Sequence, residues 1–200
     1  DVTRTSMAAT TFTGKWVAFS SSGSGVYGLT VDNKGVATTD TLLIGGDYVT
    51  IHGAASSGDV AAVIYSARNT STYVTSRRVL LIKSDFTFVA DVALSPSIPL
   101  SYIAGSVAWN GTAFLLGWSE YSSGGAFSAH LGLVKPDGTL SSVRDLPVTT
   151  GPTSDHPKIM VAAKGTSQAA AFSPAGGNVS VITLTSGLDK DVGPVAIGSS

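Results

Sequence analysis

Few residues in this chain have the chemistry of a reaction centre. There are three histidines, His52, His130 and His156, one glutamate, Glu120, twelve aspartates and no cysteine. The absent thiol excludes a disulfide framework, a thiolate zinc site, an iron–sulfur cluster and a cysteine nucleophile. The histidines are too widely and unevenly spaced for a zinc motif. Asp32-Asn33-Lys34-Gly35 and Lys135-Pro136-Asp137-Gly138 each bring a single carboxylate, against the roughly six to eight oxygens that calcium takes, so both read as tight turns. Gly23-Ser24-Gly25 and Gly124-Gly125 have no helix after them and form no phosphate cradle. Neither a metal nor a cofactor is expected.

Acyl or glycosyl transfer fares little better. Serine and threonine number fifty, so a serine near any histidine carries little information. No G-x-S-x-G elbow is present in a strand-to-helix setting. A glycosidase needs paired carboxylates, and Glu120 with Asp155 is the pairing the reading offers. No residue is therefore assigned a catalytic role. A ligand-binding set is the better expectation: Asp47, Tyr48, Arg68, Asn69, Tyr73, Glu120, Tyr121, Asp155 and His156. Tyrosine rings beside acids, Arg and Asn supply what sugar recognition uses, an apolar face and fixed hydrogen bonds.

Those residues lie in the gaps between strand-like runs. Val26–Val31, Val79–Ile82, Leu131–Val134 and Val179–Leu184 are rich in β-branched and apolar residues, and turn signals separate them. The runs also repeat. An aromatic residue followed by serine recurs as Phe19-Ser20, Tyr65-Ser66, Trp118-Ser119 and Phe172-Ser173, at steps of roughly fifty residues. Upstream of each stands a turn glycine: Gly14, Gly58, Gly111 and Gly165. Before each glycine comes a small-residue strand, and after each aromatic a loop, a third strand, a turn and a fourth strand. Asp40, Asp91, Asp145 and Asp191 fall on the fourth strands, where a charge resists edge-to-edge pairing.

Four strands per unit of about fifty residues is the signature of a propeller blade. The expectation is one all-β repeat domain over 1–200, with blades at about 1–46, 47–98, 99–156 and 157–200. The blades would form a closed four-bladed ring or part of a larger one, and a β-sandwich is the alternative. Small residues suit the inner strands, and the four aromatics suit the widening wedge between blades. In this layout the loops from an outer strand to the next inner strand share a face with the loops between second and third strands. That face would gather the binding set named above.

The third unit carries a family resemblance. Ser106-Val107-Ala108-Trp109-Asn110-Gly111-Thr112-Ala113-Phe114-Leu115-Leu116-Gly117-Trp118-Ser119-Glu120, followed by Leu133-Val134-Lys135-Pro136-Asp137-Gly138-Thr139, resembles a repeat of large secreted proteins from myxobacteria and related bacteria. The resemblance implies a propeller-like array on an exported protein and assigns no residue a role.

Bulk properties narrow the partners. Charged residues are 12% of the chain and the net charge is -1, which leaves no basic field for nucleic acid. No apolar run reaches the ~18–20 residues of a membrane span. Low Lys and Glu with abundant Ser, Thr and Gly points to a secreted or cell-surface location. A chain beginning at Asp1 reads as a processed form or an excised segment. The expected function is a non-enzymatic extracellular module that binds or assembles, through a protein partner or self-association of blade faces. A lectin-like carbohydrate binder is the alternative, and a glycan hydrolase using the same loop face is the second.

Overall fold

The computed structural model describes residues 6–99, 104–121, 127–146, 158–173 and 179–197. All regular structure among the described residues is β. The first sheet contains β1 (Ser6–Phe12), β2 (Lys15–Ser22), β3 (Gly25–Val31) and β4 (Thr41–Gly45). The second contains β5 (Thr50–Ser56), β6 (Val60–Arg68), β7 (Val74–Lys83) and β8 (Phe88–Pro99). The third contains β9 (Ala104–Trp109), β10 (Phe114–Tyr121), β11 (Phe127–Val134) and β12 (Leu140–Leu146). The fourth contains β13 (Lys158–Lys164), β14 (Ser167–Ser173), β15 (Val179–Leu184) and β16 (Lys190–Ile197). Each sheet is an antiparallel meander in chain order. Four separate meanders differ from the two facing sheets that a sandwich would need. The first two sheets form one compact unit and the last two another.

The repetition is sharpest in the turns between third and fourth strands. The N–H groups of Asp32, Lys83, Lys135 and Thr185 donate to the carbonyls of Val36, Thr87, Thr139 and Asp189, at 2.9–3.0 Å. The next-to-last residue of each turn is left-handed: Gly35 (φ 81°), Phe86 (66°), Gly138 (92°) and Leu188 (72°). A left-handed backbone costs a residue with a side chain about 1–2 kcal/mol. Leu188 offsets that cost by burying its side chain in its unit's core, and Phe86 offsets part of it by packing, half-buried, against the core of the first unit, since fully burying an apolar side chain of this size is worth about 1.5–3 kcal/mol.

In the first unit the core lies between the two sheets. Val17, Phe19 and Val26 meet Ile51, Ala61, Val63, Tyr65, Leu80 and Ile82. On β6 and β7 the alternate residues Ala62, Ile64, Val79 and Leu81 are buried as well, so both faces of these strands are apolar, as blade interiors require. In the second unit Leu115, Ala129, Leu131 and Leu133 pack on Ile159, Ala170, Phe172, Ile182, Leu184 and Leu188. Gly117 lets β13 approach β10, because a Cβ there would lie 2.8 Å from Val161 Cγ1 and 3.0 Å from Ile159.

All four repeat aromatics are buried, yet they do not share one environment. Phe19 and Tyr65 meet in the first unit's core and Phe172 lies in the second's. Trp118 turns to the opposite face of its sheet, over Gly132 and His130. The expected role of the outer-strand aspartates also needs correction. Asp40 precedes β4 rather than lying on it. Asp91 is no bare edge charge: its carboxylate accepts from Arg78 Nε at 2.7 Å and from the Tyr65 hydroxyl at 2.9 Å. Burial first, and then the Asp91 charge, push the Tyr65 phenol well above its ordinary range.

Candidate functional site

Three loops of the first unit converge. The β4–β5 loop is tied to the β2–β3 turn, where Gly46 N–H donates to Ser24 O and Tyr48 N–H to Gly23 O. It is tied to the β6–β7 loop by Arg68 N–H on Asp47 O at 3.0 Å and by the Thr70 hydroxyl on Asp47 Oδ2 at 3.0 Å. This is the convergence the strand layout anticipates for second-to-third and outer-to-inner connections.

An open pocket of about 520 Å³ lies between the loops, with Asp47, Arg68, Asn69, Thr72 and Ser76 in its lining. Asn69 shapes its own loop, since its Oδ1 accepts the N–H groups of Ser71 and Thr72 at 3.0 and 2.9 Å. This is the side-chain-to-backbone turn that makes Asn common in loops. Tyr73 N–H donates to Asn69 O at 2.8 Å and closes the turn. The Arg68 guanidinium lies over the Tyr73 ring, 4.9 Å from its centre, within cation–π range.

Both tyrosines are held in a strained backbone. Tyr48 has φ 43° and Tyr73 φ 56°, a region bulky residues seldom occupy. The two residues are 67% and 57% exposed. Burial offsets the same strain at Leu188 and part of it at Phe86, whereas these two residues face solvent.

The second unit holds a different cluster, on the face of its first sheet opposite the core. β10 brings Trp118 and Glu120, β11 brings Ser128 and His130, and β12 brings Asp145. The register pairs Trp118 with His130 and His130 with Asp145. The Trp118 and His130 rings stack with centres 5.3 Å apart. His130 Nδ1 lies 2.7 Å from Asp145 Oδ1, and its Nε2 lies 2.9 Å from Ser128 Oγ and 4.0 Å from Glu120 Oε2. Trp118 Nε1 donates to Glu120 Oε1 at 3.0 Å. Ser128, His130 and Asp145 thus have the connectivity of a proton relay, but the Asp145 side chain is 84% exposed, and water screens its hold on the imidazole.

His52 plays no part in either cluster. Its Nε2 lies 3.0 Å from Ser66 Oγ. Burial, helped by the nearby Arg77 charge, lowers its pKa to about 4. It is a neutral histidine bonded within the first unit.

Of the binding set, Asp47, Tyr48, Arg68, Asn69 and Tyr73 come together in the first unit. Glu120 belongs to the second unit with Trp118 and His130. Tyr121 ends β10, and its side chain lies outside the described residues, as do Asp155 and His156. Sequence reasoning missed Thr70, which fixes the Asp47 carboxylate, and it missed Ser128, His130 and Asp145 around Glu120. The signal for these was the matching alternation Trp118-x-Glu120 and Ser128-x-His130 on neighbouring strands, which becomes readable once their register is known. Among the described residues no group of His, Asp and Glu is placed to hold a metal ion, and no helix is long and apolar enough to cross a membrane.

No family model matches the chain, and no curated protein matches it. Solved structures do. The chain is similar to the subtype N10 neuraminidase-like protein of A/little yellow-shouldered bat/Guatemala/060/2010, with 10% identity and a TM-score of 0.63 over 95% of this chain. It spans 58% of that chain's length. It is also similar to a thermostable family-43 glycoside hydrolase, with 10% identity and a TM-score of 0.55 over 96% of this chain and 73% of that one. At such identities the likeness concerns fold. Both neighbours are propellers, and this chain is an all-β propeller built from four four-stranded blades.

Proposed function

We propose that this chain is a non-enzymatic, exported binding module whose loop pocket in the first unit takes a saccharide. One observation carries the reading: Tyr48 and Tyr73 keep a strained backbone while staying exposed, each next in sequence to residues that line a polar pocket. Strain of about 1–3 kcal/mol that burial does not offset is the mark of a site shaped for contact. A sugar ring stacks on an exposed tyrosine while its hydroxyls bond to fixed polar groups. The exported location is supported by composition and by the resemblance of the third unit to secreted myxobacterial repeats.

The test is a glycan array with the wild-type chain and with Tyr48→Asn and Tyr73→Asn. Asparagine tolerates the left-handed region, so these variants keep the loop and lose the ring. The reading expects binding by the wild type, its loss in at least one variant, and melting temperatures no lower than wild type. Glycan binding that both variants retain would move the site elsewhere, and no binding at all would reject the saccharide.

A protein-scaffold reading has its own support in the first sheet. Met7 and Trp16 are 79% and 59% exposed on β1 and β2, the kind of apolar surface that a protein partner or a second copy covers.

A further inference from the structure

Several of the pocket's acceptors are engaged within the loops, and Asp47 Oδ1 is the carboxylate oxygen that stays open. Asp47 Oδ2 receives the Thr70 hydroxyl. Asn69 Oδ1 receives two backbone N–H groups of its own loop, and Thr72 Oγ1 receives the Val74 N–H. Three backbone carbonyls around the pocket are engaged as well: Asp47 O by Arg68 N–H, Asn69 O by Tyr73 N–H, Ala67 O by the Ser76 hydroxyl.

Two nitrogen donor groups remain. The Asn69 amide turns its oxygen inward, which leaves its NH₂ with two donors. The Arg68 guanidinium has five N–H groups, and among the described residues its side chain touches the Tyr73 ring and forms no ion pair. In the same sheet Arg78 is ion-paired, with Nε on Asp91 Oδ2 at 2.7 Å and a second bond to the Asp91 carbonyl. A guanidinium that contacts an aromatic face and has no ion-pair partner keeps N–H donors open, and these match a carboxylate in fork geometry.

We infer that the ligand is an acidic saccharide, a sugar bearing a ring carboxylate, with that carboxylate bound by Arg68 and the Asn69 amide. This rests on the saccharide reading above and names its class. The second oxygen of Asp47 is left to take a sugar hydroxyl, and the Tyr73 ring, 4.9 Å from the Arg68 guanidinium carbon, is the aromatic surface next to the carboxylate position.

The experiment is calorimetric titration of the whole chain with four probes: oligogalacturonate, oligoglucuronate, the methyl ester of the first, and a hexaglutamate peptide. The expected result is binding of at least one acidic oligosaccharide, weakened about tenfold or more by methyl esterification or by Arg68→Gln, and weakened by added salt. Arg68→Lys should restore part of the affinity, because it keeps the charge and loses the fork. Equal binding of acid and ester overturns the acidic class and leaves the saccharide reading standing. Hexaglutamate binding as tightly as the sugars overturns the saccharide reading and keeps the anion site. Binding of none of the four, while the array detects neutral glycans, overturns the acidic class, and binding of nothing in either experiment overturns both. Unchanged melting of the Arg68 variants ties any loss to the contact rather than to unfolding.

Discussion

Leu188 occupies in its hairpin the left-handed position that Gly138 occupies in the hairpin of the preceding sheet, at φ 72° and 92°. Leu188 is 2% exposed and joins Leu184 and Ile182 in the second unit's core. Strain and burial therefore meet in one residue.

Substitution there should separate the two. Leu188→Ala removes burial and keeps the strain, so it should cost about 2–4 kcal/mol. Leu188→Gly also loses the burial but releases the left-handed penalty, and it should be less damaging by about 1 kcal/mol. Alanine normally outranks glycine in a folded segment, so this inverted order in urea melts is the diagnostic result. Equal losses would mean that the backbone at Leu188 is unstrained.

This position also marks how far the sequence could be read. Gly35 and Gly138 announce their turns, because glycine is the ordinary occupant of a left-handed site. Phe86 and Leu188 fill equivalent sites and announce nothing, since their conformation depends on a core that local sequence does not describe. The pocket follows the same rule. Asp47, Tyr48, Arg68 and Tyr73 were recognisable as a set because they sit at the ends of adjacent connections in a meander. The neighbours of Glu120 depend on the β10–β11 register, and an error of one residue in register reverses every side chain.

His52 makes stability sensitive to mild acid. In the folded chain it holds its pKa at about 4, against 6.5 for an ordinary histidine. Between those values the unfolded chain binds more protons than the folded one. The stabilisation is therefore complete above about pH 6.5 and falls as the pH drops toward 4, by up to ~3 kcal/mol at about 1.4 kcal/mol per unit. Chemical melts from pH 7.5 to 4 should show that fall, and His52→Asn should flatten it. An equally steep fall in the variant would assign the acid sensitivity to other groups.

Gly117 measures how closely two sheets of the second unit approach. A Cβ would meet Val161 and Ile159 at 2.8–3.0 Å, tighter than ordinary packing, so β13 would have to shift. Gly117→Ala should destabilise by about 1–3 kcal/mol, as overpacked cores do. A second change, Val161→Ala, should recover part of the loss. Full tolerance of Gly117→Ala would show that β13 does not press on β10 at this point.

The binding account is tested most directly by amide chemical-shift mapping of the ¹⁵N-labelled chain during titration with the best acidic oligosaccharide of the panel. The account predicts saturable shifts at Asp47, Tyr48, Arg68, Asn69, Thr72 and Tyr73, absent in Arg68→Gln. Shifts centred instead on Glu120, His130 and Asp145, or no shifts at saturating ligand, would contradict it.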